Sequence, residues 1–157
     1  MGQGRAAIED AAVIDGRIRR YALERASDIQ QRIYPEEVWA RSAACPTDTV
    51  LTVFAADGVF MAPNTPSIIG ADAIRGAYAG LFQAITFDTE LTVEEVVQVA
   101  PDWAFVRTSS NGQVTVKAIQ QRVPDANHEL FVFQKGDDAA WKIARYSFAT
   151  TNPLPQS

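Results

Sequence analysis

The feature that most constrains the fold is a change of hydrophobic period at Ile85. Before this residue, apolar side chains recur every three or four positions, which is typical of amphipathic helices. After it the period falls to about two, and β-branched and aromatic residues dominate, as in strands. Helices followed by strands, without βαβ alternation, predict an α+β class in which N-terminal helices cover one face of a curved antiparallel sheet and enclose a pocket.

The N-terminal part is predicted to form several helices and one hairpin. Helical spacing covers 5–33, a short helix follows over 35–44 from Pro35, and Thr47 can cap a helix over 48–56. A small hairpin is expected from the short apolar runs 59–62 and 67–70 on either side of a Pro-rich turn. The regular spacing of Ile74, Tyr78 and Phe82 predicts another helix over 71–84.

The C-terminal part is predicted to be strands over 86–99, 103–109, 113–119, 128–135 and 141–150. Turn residues separate them at 101–102, 111–112, 124–127 and 136–138. Asn111-Gly112 is either a tight hairpin or a bulge in one long bent strand. We also expect 103–109 and 128–135 to be near neighbours in the sheet.

Composition excludes several functional classes. The 157 residues carry 14 Lys and Arg against 19 Asp and Glu, a formal charge of −5, so we expect no nucleic-acid partner. No apolar run is long enough to cross a membrane, so we expect a cytoplasmic protein without a membrane partner. The lone Cys45 forms no disulfide framework, and no Cys/His spacing suits a metal. Gly-rich phosphate-binding motifs are also missing, so no cofactor is expected.

Specific motifs resemble a known family. The run FAADGVF at 54–60, Pro63 and GADAIR at 70–75 are similar to a passage of the SnoaL-like proteins, in the nuclear-transport-factor-2-like superfamily. The runs 102–110, 126–133 and 141–146 resemble the SgcJ/EcaC-type branch of these proteins. We therefore expect a single domain over 1–157, with an extended N-terminal helix at 1–35, the family match at 36–151 and a tail at 152–157.

The resemblance implies a cone, usually homodimeric, with an apolar cavity open at one end. Its members include ketosteroid isomerase, epoxide hydrolase, scytalone dehydratase, polyketide cyclases and non-catalytic association domains. The isomerase places its general-base Asp at the position of Ala62, and the epoxide hydrolase would place an acid at Ser109. Neither residue can serve as that acid, so both mechanisms are disfavoured.

The candidate catalytic residues are Glu129, His128 and Arg107. Glu129 heads an apolar strand, where burial and a nearby guanidinium would have opposite effects on its pKa. His128 is a candidate because the unperturbed pKa of a histidine side chain, about 6.5, is near neutrality. We expect Arg107 and Glu129 on neighbouring strands with both side chains on the concave face, as a functional pair or as a structural ion pair.

Ten further residues are candidates for ligand binding. The apolar set is expected around the cavity, although plain core packing is the alternative for each member; the polar set lies on otherwise apolar strands. These residues are Trp39, Phe54, Phe60, Met61, Tyr78, Phe82 and Phe105, with Ser109, Asn127 and Arg145. Five other aromatic residues are expected on the outer sheet face, where they would favour a homodimer: Trp103, Phe131, Phe133, Trp141 and Phe148.

Three functions follow as hypotheses. The first is an isomerase, cyclase or hydrolase that acts on a small hydrophobic molecule through Glu129 or His128 with Arg107. The second is a non-catalytic module that binds such a molecule, and the third is a dimeric association domain. A cavity with a desolvated carboxylate would favour the enzyme, a cavity without a titratable group the binding module, and a filled interior the association domain. If Arg107 and Glu129 lie on opposite sheet faces, the binding module becomes the leading hypothesis.

Overall fold

The structure is a computed structural model and describes residues 47–153. The helices predicted over 5–33 and 35–44 lie outside these residues. The elements in chain order are α1 (Thr47–Val53), β1 (Phe54–Met61), β2 (Ile68–Ile69), α2 (Ala71–Ala84), β3 (Ile85–Ala100), β4 (Trp103–Val116), β5 (Gln121–Lys135) and β6 (Trp141–Thr150).

The six strands form one curved, unclosed sheet in the order β2-β1-β6-β5-β4-β3. The pairs β3–β4, β4–β5 and β5–β6 are antiparallel, and so is the pair β1–β2. The predicted α+β class and the predicted adjacency of 103–109 and 128–135 are confirmed. One pairing differs from the antiparallel prediction: β1 lies parallel to β6, because the chain returns to the middle of the sheet only at its last strand.

The bounds of α2 agree with the prediction, and the predicted hairpin pairs 59–60 with 68–69, but its first strand begins earlier than predicted, at Phe54. The helix predicted over 48–56 is correspondingly too long. It ends at Val53, and Phe54 already pairs with Ile143 of β6. The side chain of Phe54 is 6% exposed within the core, so burial against the sheet overrides the helical pattern.

At Asn111-Gly112 the alternative of one long strand is confirmed, although without a bulge, and the turn predicted at 124–127 is wrong. Asn111 and Gly112 continue β4 without a bulge, opposite Glu90 and Thr89, so one long strand replaces 103–109 and 113–119. The turn that links β4 to β5 lies at 117–120. Pro124 belongs to β5, in a stretch that pairs with β4 but not with β6, where a missing backbone donor is tolerated.

The core lies on the concave face of the sheet, beneath the two helices. Ala104, Val106 and Thr108 of β4 point to this face, and the residues between them are more exposed. On β5 the same alternation points Glu129, Phe131 and Phe133 inward. Ile74 and Tyr78 of α2 cover them. Within residues 47–153, no helix is long and apolar enough to cross a membrane.

Candidate functional site: an apolar cavity with a buried carboxylate

A cavity of about 310 Å³ lies between the concave sheet face and the helices. Its wall is mostly aliphatic and aromatic, which is typical of small-molecule sites. The apolar lining residues are Val50, Val53, Phe54, Phe60, Tyr78, Leu81, Ile85, Phe87, Leu91, Val114, Phe131, Ile143, Tyr146 and Phe148. The polar part of the wall consists of Thr89, Ser110, Asp125, Asn127 and Glu129.

Glu129 is the buried carboxylate of this wall, with 5% of its surface exposed. The Thr108 hydroxyl donates a hydrogen bond to Oε2 at 2.5 Å, and the Ser110 hydroxyl donates to Oε1 at 2.5 Å. Thr108 is directly opposite Glu129 in the register of β4 and β5, and Ser110 lies two residues further along the same face. Because each hydroxyl donates to one oxygen, the pair holds the carboxylate in a fixed orientation.

Asn127 extends the network along β5. Its Nδ2 donates to the two carboxylate oxygens of Asp125 at 3.1 and 3.2 Å, and also lies 3.4 Å from Ser110 Oγ. Asp125, Asn127 and Glu129 share one strand face because they are spaced by two residues. The polar wall therefore has a carboxylate at each end, linked through an amide and a hydroxyl.

Aromatic rings lie beside this polar wall. The ring of Tyr146 stacks between Phe131, at 4.3 Å between centroids, and Phe60, at 5.1 Å. Phe60 also stacks on Tyr78 at 5.3 Å. Burial raises the pKa of Tyr78 well above its ordinary value. The pKa of Tyr146 is raised by desolvation first, and then by Tyr78 and the negative charges of Glu129 and Asp125. Both hydroxyls therefore stay protonated near neutral pH.

The predicted pairing of Arg107 with Glu129 is wrong. Arg107 pairs in register with Leu130, so its side chain lies on the opposite sheet face from Glu129. Its Nε donates to Glu95 Oε1 of β3 at 3.1 Å, in an exposed ion pair. Since side chains alternate between faces, the offset of one residue moves the guanidinium out of the cavity.

Three other predicted site residues also lie on the outer face. His128 is exposed and pairs with Ser109, whose hydroxyl donates to Glu94 Oε1 at 2.6 Å. Phe105 lies between the buried Ala104 and Val106 and points outward. None of the three lines the cavity. Their predicted position at the site is wrong, because the alternation of side chains along each strand turns them to the outer face.

The remaining candidates divide into two groups. Phe54, Phe60, Tyr78 and Asn127 line the cavity together with Glu129. The others do not: Met61 lies at the end of β1, Phe82 packs on Tyr78 and Phe87, and Arg145 is exposed with its Nη1 donating to the carbonyl of Ala144. Trp39 lies outside the described residues.

Sequence reasoning missed the hydroxyls and the second carboxylate of the site. Ser110 and Thr108 follow Arg107 in a polar run, and a run that is polar on both faces does not reveal which face is inward. The pattern around Pro124 predicts a turn at Asp125. Counting by two from Glu129 would have selected Asp125 and Phe131, provided that the strand was known to continue through Pro124.

Two of the aromatic residues assigned to the outer face, Phe131 and Phe148, instead line the cavity, and Phe133 is buried in the core at 1% exposure. Trp141 packs against that core.

Among residues 47–153, no group of three His, Cys, Asp or Glu side chains is arranged to hold a metal ion.

Comparison with known proteins agrees with this architecture. The model of the SnoaL-like domain family matches residues 35–145. A ketosteroid isomerase-like protein from Erwinia carotovora is 30% identical, with 79% of this chain and 98% of that chain covered and a TM-score of 0.66. Among curated proteins, none matches this sequence.

Two more distant structures show the same fold. A protein like nuclear transport factor 2, with a cystatin-like fold, from Novosphingobium aromaticivorans is 15% identical over 90% of each chain, with a TM-score of 0.58. A domain with a cystatin-like fold from Nostoc punctiforme is 17% identical over 82% of this chain and 80% of that one, with a TM-score of 0.61. The chain is thus a member of the SnoaL-like domain family.

Proposed function

We propose that this protein binds a small, mainly apolar molecule in the cavity and anchors it at Glu129. One observation carries the proposal: a cavity of about 310 Å³ with an apolar wall contains a single buried, hydrogen-bonded carboxylate. A filled interior would instead have supported an association domain. The cavity contacts supply affinity by excluding water, and the carboxylate supplies orientation.

The carboxylate of Glu129 has hydrogen-bonding capacity left for a ligand. A carboxylate offers about four acceptor positions, and the hydroxyls of Thr108 and Ser110 occupy one on each oxygen. A ligand that donates a hydrogen bond would use a remaining position without disturbing these contacts. An apolar molecule with one donor group therefore complements the cavity.

The test uses the fluorescent probe N-phenyl-1-naphthylamine, a neutral apolar molecule with one N–H donor. Binding raises its emission, so a titration gives an affinity. Val53→Trp fills part of the cavity and should weaken binding roughly tenfold or more. Val99→Trp makes the same change at a position that is 63% exposed and should leave the affinity unchanged. Equal affinities in both variants, with melting temperatures near that of the parent, would refute binding in the cavity.

A second candidate function is proton transfer by Glu129, and the burial of this carboxylate beside aromatic rings is the observation that favours it. The position of the isomerase base is occupied by Ala62, which packs against the core, so any carboxylate base must come from another strand. Glu129 lies within a mostly apolar enclosure, which would keep bulk water away from the reacting atoms.

A generic carbon acid tests this second function. In 5-nitrobenzisoxazole a base removes the C3 proton, the N–O bond breaks, and a coloured cyanophenolate forms. If Glu129 is the base, the protein should accelerate this reaction and Glu129→Gln should abolish the acceleration. Glu90→Gln makes the same change at an exposed position on β3 and should have no effect. Rates that are equal in the parent and in Glu129→Gln would exclude the base.

A further inference from the structure

The cavity wall carries negative charge without a cation to balance it. Asp125 and Glu129 are the only acidic residues of the described lining, and that lining contains no Lys, Arg or His. The ion pairs within residues 47–153 lie elsewhere, between Arg75 and Asp48, Arg107 and Glu95, and Arg122 and Asp88. An unpaired carboxylate in an apolar enclosure has a high free energy, which a positive charge would lower.

The side-chain donor hydrogens of the polar network already form hydrogen bonds within that network. The Thr108 and Ser110 hydroxyls donate to Glu129, and the Asn127 amide donates to Asp125. What the network offers to the cavity is therefore mainly acceptor lone pairs. A ligand with several donor hydrogens fits this wall, whereas a carboxylate ligand would meet two like charges.

The hydroxyl of Tyr78 is an independent indication that the ligand carries a polar atom. Tyr78 is 7% exposed and lines the cavity, and its hydroxyl has no hydrogen-bond partner within residues 47–153. A buried hydroxyl without a partner is costly unless a ligand or water completes it. The hydroxyl oxygen can accept a hydrogen bond from an ammonium group, and the neighbouring aromatic rings attract a cation.

We propose that the ligand of this cavity is an amine: an apolar molecule whose protonated nitrogen donates to the Glu129 carboxylate, with its hydrocarbon part against the aromatic wall. This inference rests on the proposed binding function and narrows it to one chemical class. It does not depend on whether Glu129 also transfers a proton.

Three naphthalene derivatives of similar size and different charge test the inference by calorimetry at pH 7: 2-naphthylmethylamine, which is protonated, 2-naphthalenemethanol, which is neutral, and 2-naphthoic acid, which is ionised. We expect the amine to bind about tenfold more tightly than the alcohol, and the acid to bind more weakly than either. In Glu129→Gln the ratio of amine to alcohol affinity should fall towards one. In Glu90→Gln, which removes the same charge from the outer surface, the ratio should be unchanged.

The outcomes separate this inference from the proposed function. If N-phenyl-1-naphthylamine binds but the alcohol or the acid binds as tightly as the amine, the amine class is wrong and the binding function stands. An amine preference that persists in Glu129→Gln also overturns the inference, because the nitrogen is then held elsewhere. If none of these probes binds, both proposals fail.

Discussion

At the scale of single residues, the Glu129 carboxylate depends on two hydroxyl donors for its orientation. Thr108 is fully buried, at 0% exposure, and its hydroxyl donates to Oε2. Valine has the same shape without the hydroxyl, so Thr108→Val removes one donor from a buried charge and leaves the packing largely intact. The loss of a hydrogen bond to a charged group typically costs about 2 kcal/mol.

We therefore expect Thr108→Val to lower the free energy of unfolding by about 2 kcal/mol in urea titrations. Thr92→Val is the matched control, because Thr92 is exposed on β3 and should change stability by no more than about 0.5 kcal/mol. Similar losses in both variants would show that the Thr108 contact contributes nothing specific.

The tyrosines of the cavity give the fold a dependence on alkaline pH. Burial raises the pKa of Tyr78 above the ordinary value of 10.0, and desolvation raises that of Tyr146. The folded state therefore keeps protons that the unfolded chain loses above this pH. The stabilisation is complete below the ordinary pKa and is lost as pH rises above it.

Urea titrations from about pH 9 to pH 11.5 should show stability falling with pH, and the double variant Tyr78→Phe, Tyr146→Phe should show a shallower fall. Ultraviolet titration offers an independent measurement. All four tyrosines of the chain ionising together near their ordinary pKa in the folded protein would contradict the burial of these two.

At the scale of elements, the close pairing of β3 with β4 requires glycine at position 112. A β-carbon on Gly112 would lie 2.2 Å from the Asp88 carbonyl oxygen and 2.7 Å from the Thr89 α-carbon. Backbone atoms of a paired strand cannot move away without breaking the ladder. Gly76 in α2 is different, because a β-carbon there meets no described atom within 4 Å.

The same substitution should therefore have opposite effects at these two positions. Gly112→Ala should destabilise the protein by about 1–3 kcal/mol through overpacking. Gly76→Ala, in the interior of a helix, should stabilise it by up to about 1 kcal/mol through helix propensity. Thermal melts of both variants check the signs. A Gly112→Ala protein as stable as the parent would mean that β3 and β4 are further apart at this point.

At the scale of the whole molecule, the outer face of the sheet presents apolar side chains. Val97 is 36% exposed and pairs in register with the half-buried Phe105, which in turn pairs with the half-buried Val132. Leu130, two residues before Val132 on β5, is 46% exposed. We propose that this face meets a second copy of the chain, since grouped apolar side chains on a surface are typical of interfaces. The homodimer expected from the sequence thus stays a prediction, with different residues.

Light scattering at micromolar concentration should give twice the 17.1 kDa mass of one chain. Leu130→Glu places a charge on the proposed face and should yield the single-chain mass. Ile69→Glu makes a similar change at a residue that is 65% exposed on β2, outside this face, and should leave the dimer intact. A single-chain mass for the parent protein, or no effect of Leu130→Glu on a dimer, would reject this interface.

The sequence by itself determined the class of the fold and the boundaries of α2, because hydrophobic period and helix length are local properties. It also identified Glu129 as the carboxylate of interest, since an acid at the head of an apolar strand is conspicuous in any register. The family motifs around Phe54 and Gly70 pointed to the same architecture, and the structural relatives support it.

Only the tertiary structure decided which strand face is inward. In β4 both faces carry apolar side chains near Phe105, and the run from Arg107 to Ser110 is polar on both. The period of two therefore fits either phase, and pairing with β5 selected the one that buries Thr108 and turns Arg107 outward. The continuation of β5 through Pro124 was likewise settled by the neighbouring strand, because that position is paired on one side only. Register is a property of two chain segments together, so the pattern of one segment does not fix it.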